Sequence, residues 1–215
     1  KLIFDFNNAV PSPCQRGRLF CCKSTTFAHM KAQQVNDVWL AQLARTLEIR
    51  LTKDQGDNVR LLVAECESQG VTDVRQIAYV LATAHHECRF KSIKEIRAQP
   101  GTDVYRMQAR YWGTGFYGRG FSQLTWRKNY LKFSPVVGMD LVKNPDLVLS
   151  PEIGAKILVH GMRRGLFTGK DLDNYFNPTR TDWFNARRIV NGVFRAEMVA
   201  DAAKKILPLL SIEVA

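Results

Sequence analysis

Apolar residues recur along this chain mostly at helical spacing, and capping residues and glycines punctuate the runs. Residues 31–50 carry Val35, Val38, Trp39, Leu43 and Leu47 near a 3.6-residue period, which predicts a first helix, a connector to the body of the chain. A second helix is predicted from Asp54, as N-cap, to Gln69, with Val59, Leu62, Val63 and Cys66 on its stripe and Gly70 ending it. A third begins at Thr72 or Asp73, where Gln76 completes a capping-box pattern, and carries Ile77, Val80, Leu81, Ala84 and Cys88. The two should form an antiparallel hairpin about Gly70. Residues 98–122, with their glycines and aromatics, predict loops and at most a short hairpin. Further helices are predicted over 126–133, from Ser150-Pro151-Glu152 to Arg164, over 182–190 and over 197–210. Residues 1–30 hold Pro11, Pro13 and Gly17 without a period and read as an irregular appended segment. The chain is therefore expected to be mainly α, with residues 31–215 as its one folded domain.

At 215 residues the chain can bury one good core. Its 46% apolar and 24% charged residues are ordinary for a globular protein, and no apolar run approaches the roughly 20 residues of a membrane span. The net charge of +11 bears on partners, not on fold. Between Arg97 and Lys132 lie seven Lys or Arg and one acid, Asp103. Such a face suits an anionic polymer, whether nucleic acid, a membrane surface or a charged cell wall; the bland reading is a solvated surface. Five cysteines, Cys14, Cys21, Cys22, Cys66 and Cys88, include no CxxC pair. Three lie in the first 22 residues, which predicts a disulfide-stapled segment and an oxidising compartment. The chain begins at Lys1, not Met, so a removed secretory leader fits that expectation. Cys88 should lie about 24 Å along its helix from the turn beside Cys66, too far for a bridge between them. Any partner of Cys88 should come from the N-terminal cluster.

Glu87 is the strongest candidate for chemistry. It borders an apolar stripe in the last turn of its predicted helix, and both partial burial and the negative helix end favour a protonated carboxyl. A general acid needs that state. Cleavage of a glycosidic bond takes a second carboxylate, roughly 5–5.5 Å away for retention or about 6.5–9.5 Å when a water must fit between. Glu95 is the nearest candidate if Arg89-Phe90-Lys91-Ser92 breaks the helix, with Asp103 in reserve. Downstream, Gln123 and Thr125 are two residues apart and so share a side of an extended segment, and Asn129 lies one turn on. Thr125 could hold a water, and Gln123 a sugar hydroxyl or N-acetyl group. Tyr117, Trp112 and Trp126 could stack on sugar rings. His85 and His86 do not make a metal site: HExxH is absent, adjacent histidines face different ways, and only His29 and His160 remain.

Taken together, the helix ending His86-Glu87, the run Tyr117-Gly-Arg-Gly-Phe-Ser-Gln-Leu-Thr-Trp-Arg-Lys-Asn-Tyr130, Asn144-Pro-Asp-Leu147, Arg164-Gly-Leu-Phe-Thr-Gly-Lys170 and Ala186-Arg-Arg-Ile-Val-Asn-Gly192 resemble the family 19 glycoside hydrolases, plant-type chitinases and related bacterial and phage endolysins. The resemblance runs over about 54–209. It implies a lysozyme-like α fold with a small loop lobe, an inverting mechanism and no cofactor or metal. Glu87 falls on the general acid, Glu95 on the general base and Thr125 on the residue that holds the water. Gln123, Asn129 and Asn191 match groove positions, and His86, Tyr117 and Trp126 are taken with them as substrate-binding. Cys88-Arg89-Phe90 after His-Glu, and Arg195 where an acid is usual, depart from plant chitinases and favour the endolysin-like branch. The leading expectation is an exported, monomeric hydrolase of the β-1,4 bonds of peptidoglycan, drawn to anionic walls by charge and using no nucleic acid. A chitinase is the alternative, and a non-catalytic glycan- or nucleic-acid-binding protein the third.

Overall fold

A computed structural model describes residues 28–29 and 31–212. The cysteine cluster expected to staple residues 1–30 lies outside them, but Ala28–His29 pairs antiparallel with Ser211–Ile212, tying the two ends of the described chain together. The first helix, α1 (Asp37–Thr46), is shorter than the 31–50 expected. Asn36 caps it by accepting from Trp39 N at 2.9 Å, a separate 3₁₀ turn covers Ala32–Gln34, and Glu48 at φ 55° turns the chain away. Val35, Trp39 and Leu43 are buried as the period requires, whereas Val38 faces solvent. Helix α2 (Lys53–Ser68) is opened by Thr52, not Asp54, through a capping box with Gln55. Gly70 then supplies the left-handed residue (φ 71°) expected of it. Helix α3 (Val74–Cys88) has Asp73 as its cap, but Gln76 does not close the box. Its buried amide donates instead to Asp173 Oδ1 (2.7 Å) and Phe176 O (2.9 Å), two acceptors that a local pattern cannot reveal.

The region expected to be loop contains α4 (Asp103–Ala109), capped by Thr102, whose hydroxyl accepts from Tyr105 N. Helix α5 (Arg127–Val137) outruns its predicted end and stops at Gly138 in the left-handed region. Helix α6 (Pro151–Arg163) agrees with the reading, and α7 covers Ala196–Leu210. Between them the segment expected as a helix over 182–190 is a 3₁₀ turn, Asn185–Ile189, fastened by Asp182 accepting from Asn185 N. Among the described residues strand is confined to two-residue pairs, such as Phe176–Asn177 with Arg180–Thr181, so the mainly α expectation is met.

Helix α3 is buried on all sides from Gln76 to Ala84 and forms the centre, packed by α2, α6 and α7. Each fully buried Leu, Ile or Val there contributes about 1.5–3 kcal/mol. A smaller core of Leu124, Tyr130, Phe133, Leu141, Val148 and Ile157 lies beneath α5. Helix α6 joins the two: Ala155, Leu158 and Met162 belong to the main core, Ile157 to the smaller one. Cys66 and Cys88 are buried and unbridged among the described residues, in line with their predicted separation. Burial pushes the Cys88 thiol up to about 12.

Candidate active site

The end of α3 sets the site. Arg89 and Phe90 both take left-handed backbone (φ 52° and 59°), each costing about 1–2 kcal/mol for a non-glycine residue. The conformation is held because Gln55 Nε2 donates to Arg89 O (2.7 Å), Asn58 Nδ2 donates to Phe90 O (2.8 Å) and the Phe90 ring is fully buried. The helix therefore ends just past Glu87, and the chain doubles back. Residues 93–95 then run antiparallel to 118–120, with Glu95 N donating to Gly118 O (2.7 Å) and Gly120 N to Ile93 O (3.0 Å).

Glu87 lines a cleft of about 310 Å³ together with Ser122, Gln123, Leu124, Thr125, Trp126, Asn129, Phe167, Val190 and Asn191. Five of the residues expected from sequence thus meet Glu87 in one place. Its side chain is 17% exposed and lies 2.7 Å from Arg187 Nη2, whose own side chain is 4% exposed. The contact is an ion pair without hydrogen-bond alignment: Glu87 Oε1 and Arg187 Nη1 are both buried and unbonded among the described residues. Arg187 Nε donates to Phe194 O at 3.4 Å, which fixes the guanidinium from behind. This buried cation beside Glu87 is invisible in the local sequence. His86 does not line the cleft. It stands beside Glu87, and burial outweighs the carboxylate in lowering its titration.

Gln123 and Trp126 have left-handed backbone (φ 48° and 74°), so the segment is a folded turn and not the extended strand expected. Gln123 Nε2 donates to Ile93 O and Gly120 O, leaving its Oε1 as an acceptor. Thr125 Oγ1 donates to Gln123 O (2.9 Å), and Asn129 Nδ2 to Thr125 O (2.7 Å), so these side chains also spend donors inward and keep acceptors. Asn191 is the complement: its Oδ1 takes Gly192 N (2.9 Å), which leaves the amide hydrogens. A cleft with several acceptors and an amide donor suits hydroxyl and acetamido groups.

Glu95 is not among the cleft-lining residues. It lies behind Gly118, where a Cβ would come within 2.8 Å of Gln123 Oε1 and 3.3 Å of Glu95 Oε2. Its carboxylate accepts from Gln108, Tyr111 and Gly118 N. The reserve candidate Asp103 sits exposed at the start of α4 and pairs with Arg106. Tyr117 lines a second, neighbouring cleft with Arg119 and Asn144–Leu147. Its ring is stacked on Trp112 (4.5 Å) and covered by the Arg119 guanidinium (4.0 Å), so both faces are occupied and only its edge is free. Trp126 is 37% exposed on the cleft wall and remains open to a sugar face. Sequence reasoning missed Gln108, Tyr111 and Arg187; the one available signal was Gln108 on a capped helix that needed a buried face.

Residues 90–157 match the family model described as chitinase class I, a family 19 glycoside hydrolase model. An acidic 27 kDa endochitinase of Solanum lycopersicum is 36% identical over 74 residues, 34% of this chain and 30% of that protein. An endochitinase of Arabidopsis thaliana is 34% identical over 84 residues, 37% of this chain and 29% of its own. The match thus spans about a third of the length of these relatives. Among solved structures, a bacterial family 19 chitinase aligns over 80% of this chain and 94% of its own, at 18% identity and a TM-score of 0.49. Chitinase C from Streptomyces griseus aligns over 57% and 64%, at 25% identity and a TM-score of 0.38. The residues matched by the family model include Glu95, Gln123, Thr125 and Asn129 but not Glu87 or Asn191, and over them the chain is similar to the family 19 glycoside hydrolases.

Proposed function

We propose that this protein hydrolyses β-1,4 bonds of a polymer containing N-acetylglucosamine, with inversion, and that chitin-type strands are its substrate. The observation that carries the reading is a carboxylic residue, Glu87, lining a cleft rich in acceptors, with a second carboxylate, Glu95, behind the same wall. Chitin comes ahead of peptidoglycan because the model matched over 90–157 is described as chitinase class I and the matched relatives are endochitinases. Peptidoglycan stays as the second reading on one observation, the net charge of +11, which would concentrate the protein on anionic walls and lose effect in salt. Either reading carries an exported monomer without cofactor, metal or nucleic acid. No helix among the described residues is long and apolar enough to cross a membrane.

In this mechanism Arg187 occupies the side of Glu87 Oε1, so the acidic proton belongs on Oε2 and passes to the leaving oxygen as the glycosidic bond breaks. The attacking water transfers one proton to Glu95; its other hydrogen stays on the oxygen and is held in a hydrogen bond accepted by Thr125 Oγ1, whose own hydrogen is already spent on Gln123 O. Its lone pair is then free to form the new bond at the anomeric carbon. The test is product analysis on N-acetylglucosamine oligomers and, separately, on purified peptidoglycan, with the anomer read by NMR before it equilibrates. Chitin oligomers should yield the α-anomer first, and Glu87→Gln should lower kcat about 10²–10⁴-fold with the fold intact. Release from peptidoglycan alone would replace chitin by the second reading. Near-normal turnover by Glu87→Gln would end the assignment.

A further inference from the structure

The carboxylate of Glu95 lies in a cradle made only of donors. Gln108 Nε2 and Tyr111 Oη reach Oε1 at 2.8 and 2.7 Å, and Gly118 N reaches Oε2 at 2.9 Å. The Gln108 amide cannot be turned round. Its Nε2 also donates to Ile96 O (2.9 Å) and its Oε1 accepts from Ala98 N (2.7 Å), so the remaining hydrogen must point at Glu95. The side chain is 2% exposed, so water offers it no alternative. A carboxylate has about four acceptor positions. Two on Oε1 and one on Oε2 are filled, which leaves a single lone pair on Oε2. That position is the one place on the carboxylate where a further hydrogen can be taken without meeting a donor.

We propose that Tyr111 and Gln108 are positioning residues, which fix the Glu95 carboxylate so that one lone pair of Oε2 is left to take the proton of the attacking water. The inference rests on the reading of Glu95 as the base. Burial, and then the bond to Glu95, hold the Tyr111 hydroxyl above the ordinary tyrosine range, so it stays a donor at any working pH. Its ring meets Trp126 edge-on at 5.2 Å, so one side chain fixes both the base and the cleft wall. Arg97 is the nearby cation that also acts on this hydroxyl.

Tyr111→Phe removes the hydroxyl and keeps the ring and Arg97, which makes it a cleaner probe than any change at the buried Gln108. On the oligosaccharide that the wild type cleaves, Tyr111→Phe should lower kcat about tenfold with KM unchanged, and move the acid limb of the pH profile up by about one unit. The thermal midpoint should not move. Glu95→Gln, run alongside, should be inactive. An inactive Glu95→Gln with a wild-type Tyr111→Phe would overturn the positioning role and leave the base in place. An active Glu95→Gln would overturn the base reading itself. A ¹³C NMR titration of the Glu95 carboxyl, wild type against Tyr111→Phe, needs no turnover; an unmoved midpoint overturns the cradle directly.

Discussion

Gly118 shows how little room the site leaves at the scale of one residue. Its backbone would accept alanine, since it is not in the left-handed region, but a Cβ there would sit 2.8 Å from Gln123 Oε1 and 3.3 Å from Glu95 Oε2. Overpacking of this kind costs about 1–3 kcal/mol, and here the atoms that must yield are an oxygen of the cleft residue Gln123 and a carboxylate oxygen of the proposed base. Gly118→Ala is therefore expected to cost activity out of proportion to stability: kcat down at least about tenfold, with the thermal midpoint lowered by only a few degrees. Full kcat in that variant would show that the close approach has no part in catalysis. Glu87, Gln123, Thr125 and Asn129 were legible in the sequence because their types and spacing lie within short stretches. Arg187 was not, because it meets Glu87 from a turn 100 residues on. Tyr117 was legible as an aromatic but not as one whose two faces are already covered.

At the scale of elements, the turn after α3 decides where Glu95 falls, and α2 supplies its fastenings. Asn58 Nδ2 holds Phe90 O at 2.8 Å in a buried setting. Asn58→Ala should leave that carbonyl unbonded in the core and cost about 1–3 kcal/mol, lowering the thermal midpoint by roughly 2–4 °C per kcal/mol in a chain of this size. It should also reduce kcat, because the strained turn places the segment 93–95 that carries Glu95. Loss of stability with no change in kcat would separate the turn from the proposed base. The sequence disclosed that the helix had to break between Arg89 and Ser92, but not the geometry of the break, since two consecutive left-handed residues without glycine are stabilised only by tertiary partners. The same limit explains α4. Its cap, Thr102, is visible in the sequence, yet seven residues without an apolar period carry little signal against flanking glycines. The long helices α2, α3, α6 and α7 were legible because burial imposes a period on them.

Across the whole molecule the helical body is built around α3, and its final turn carries charge-sensitive groups into the interior. Burial lowers the titration of His85, with Arg89 and His86 adding to it. Burial likewise lowers His86, with Glu87 opposing and Arg187 and Arg195 reinforcing, and lowers His160 on α6 beside Arg163 and Arg164. A histidine depressed in the folded state binds its proton more readily when unfolded, at about pH 6.5. The unfolded chain therefore takes up more protons below that pH, and the stability contributed by neutral histidines, complete above about 6.5, is lost as the pH falls toward the folded values. Asp73 and Asp182, held low by Arg75 and by Asn185 and Arg180 against their own burial, act in the same direction but only nearer their ordinary range of about 4. The two effects separate on the pH axis. The thermal midpoint should be level from pH 8 to 7, fall between about 6.5 and 5, and fall again below about 4. His85→Gln should flatten the first of these slopes, because glutamine cannot be charged in the same buried place. A midpoint that stays level from pH 7 to 5 in the wild type would show that the histidines titrate alike in both states, and that the end of α3 tolerates charge that its burial argues against.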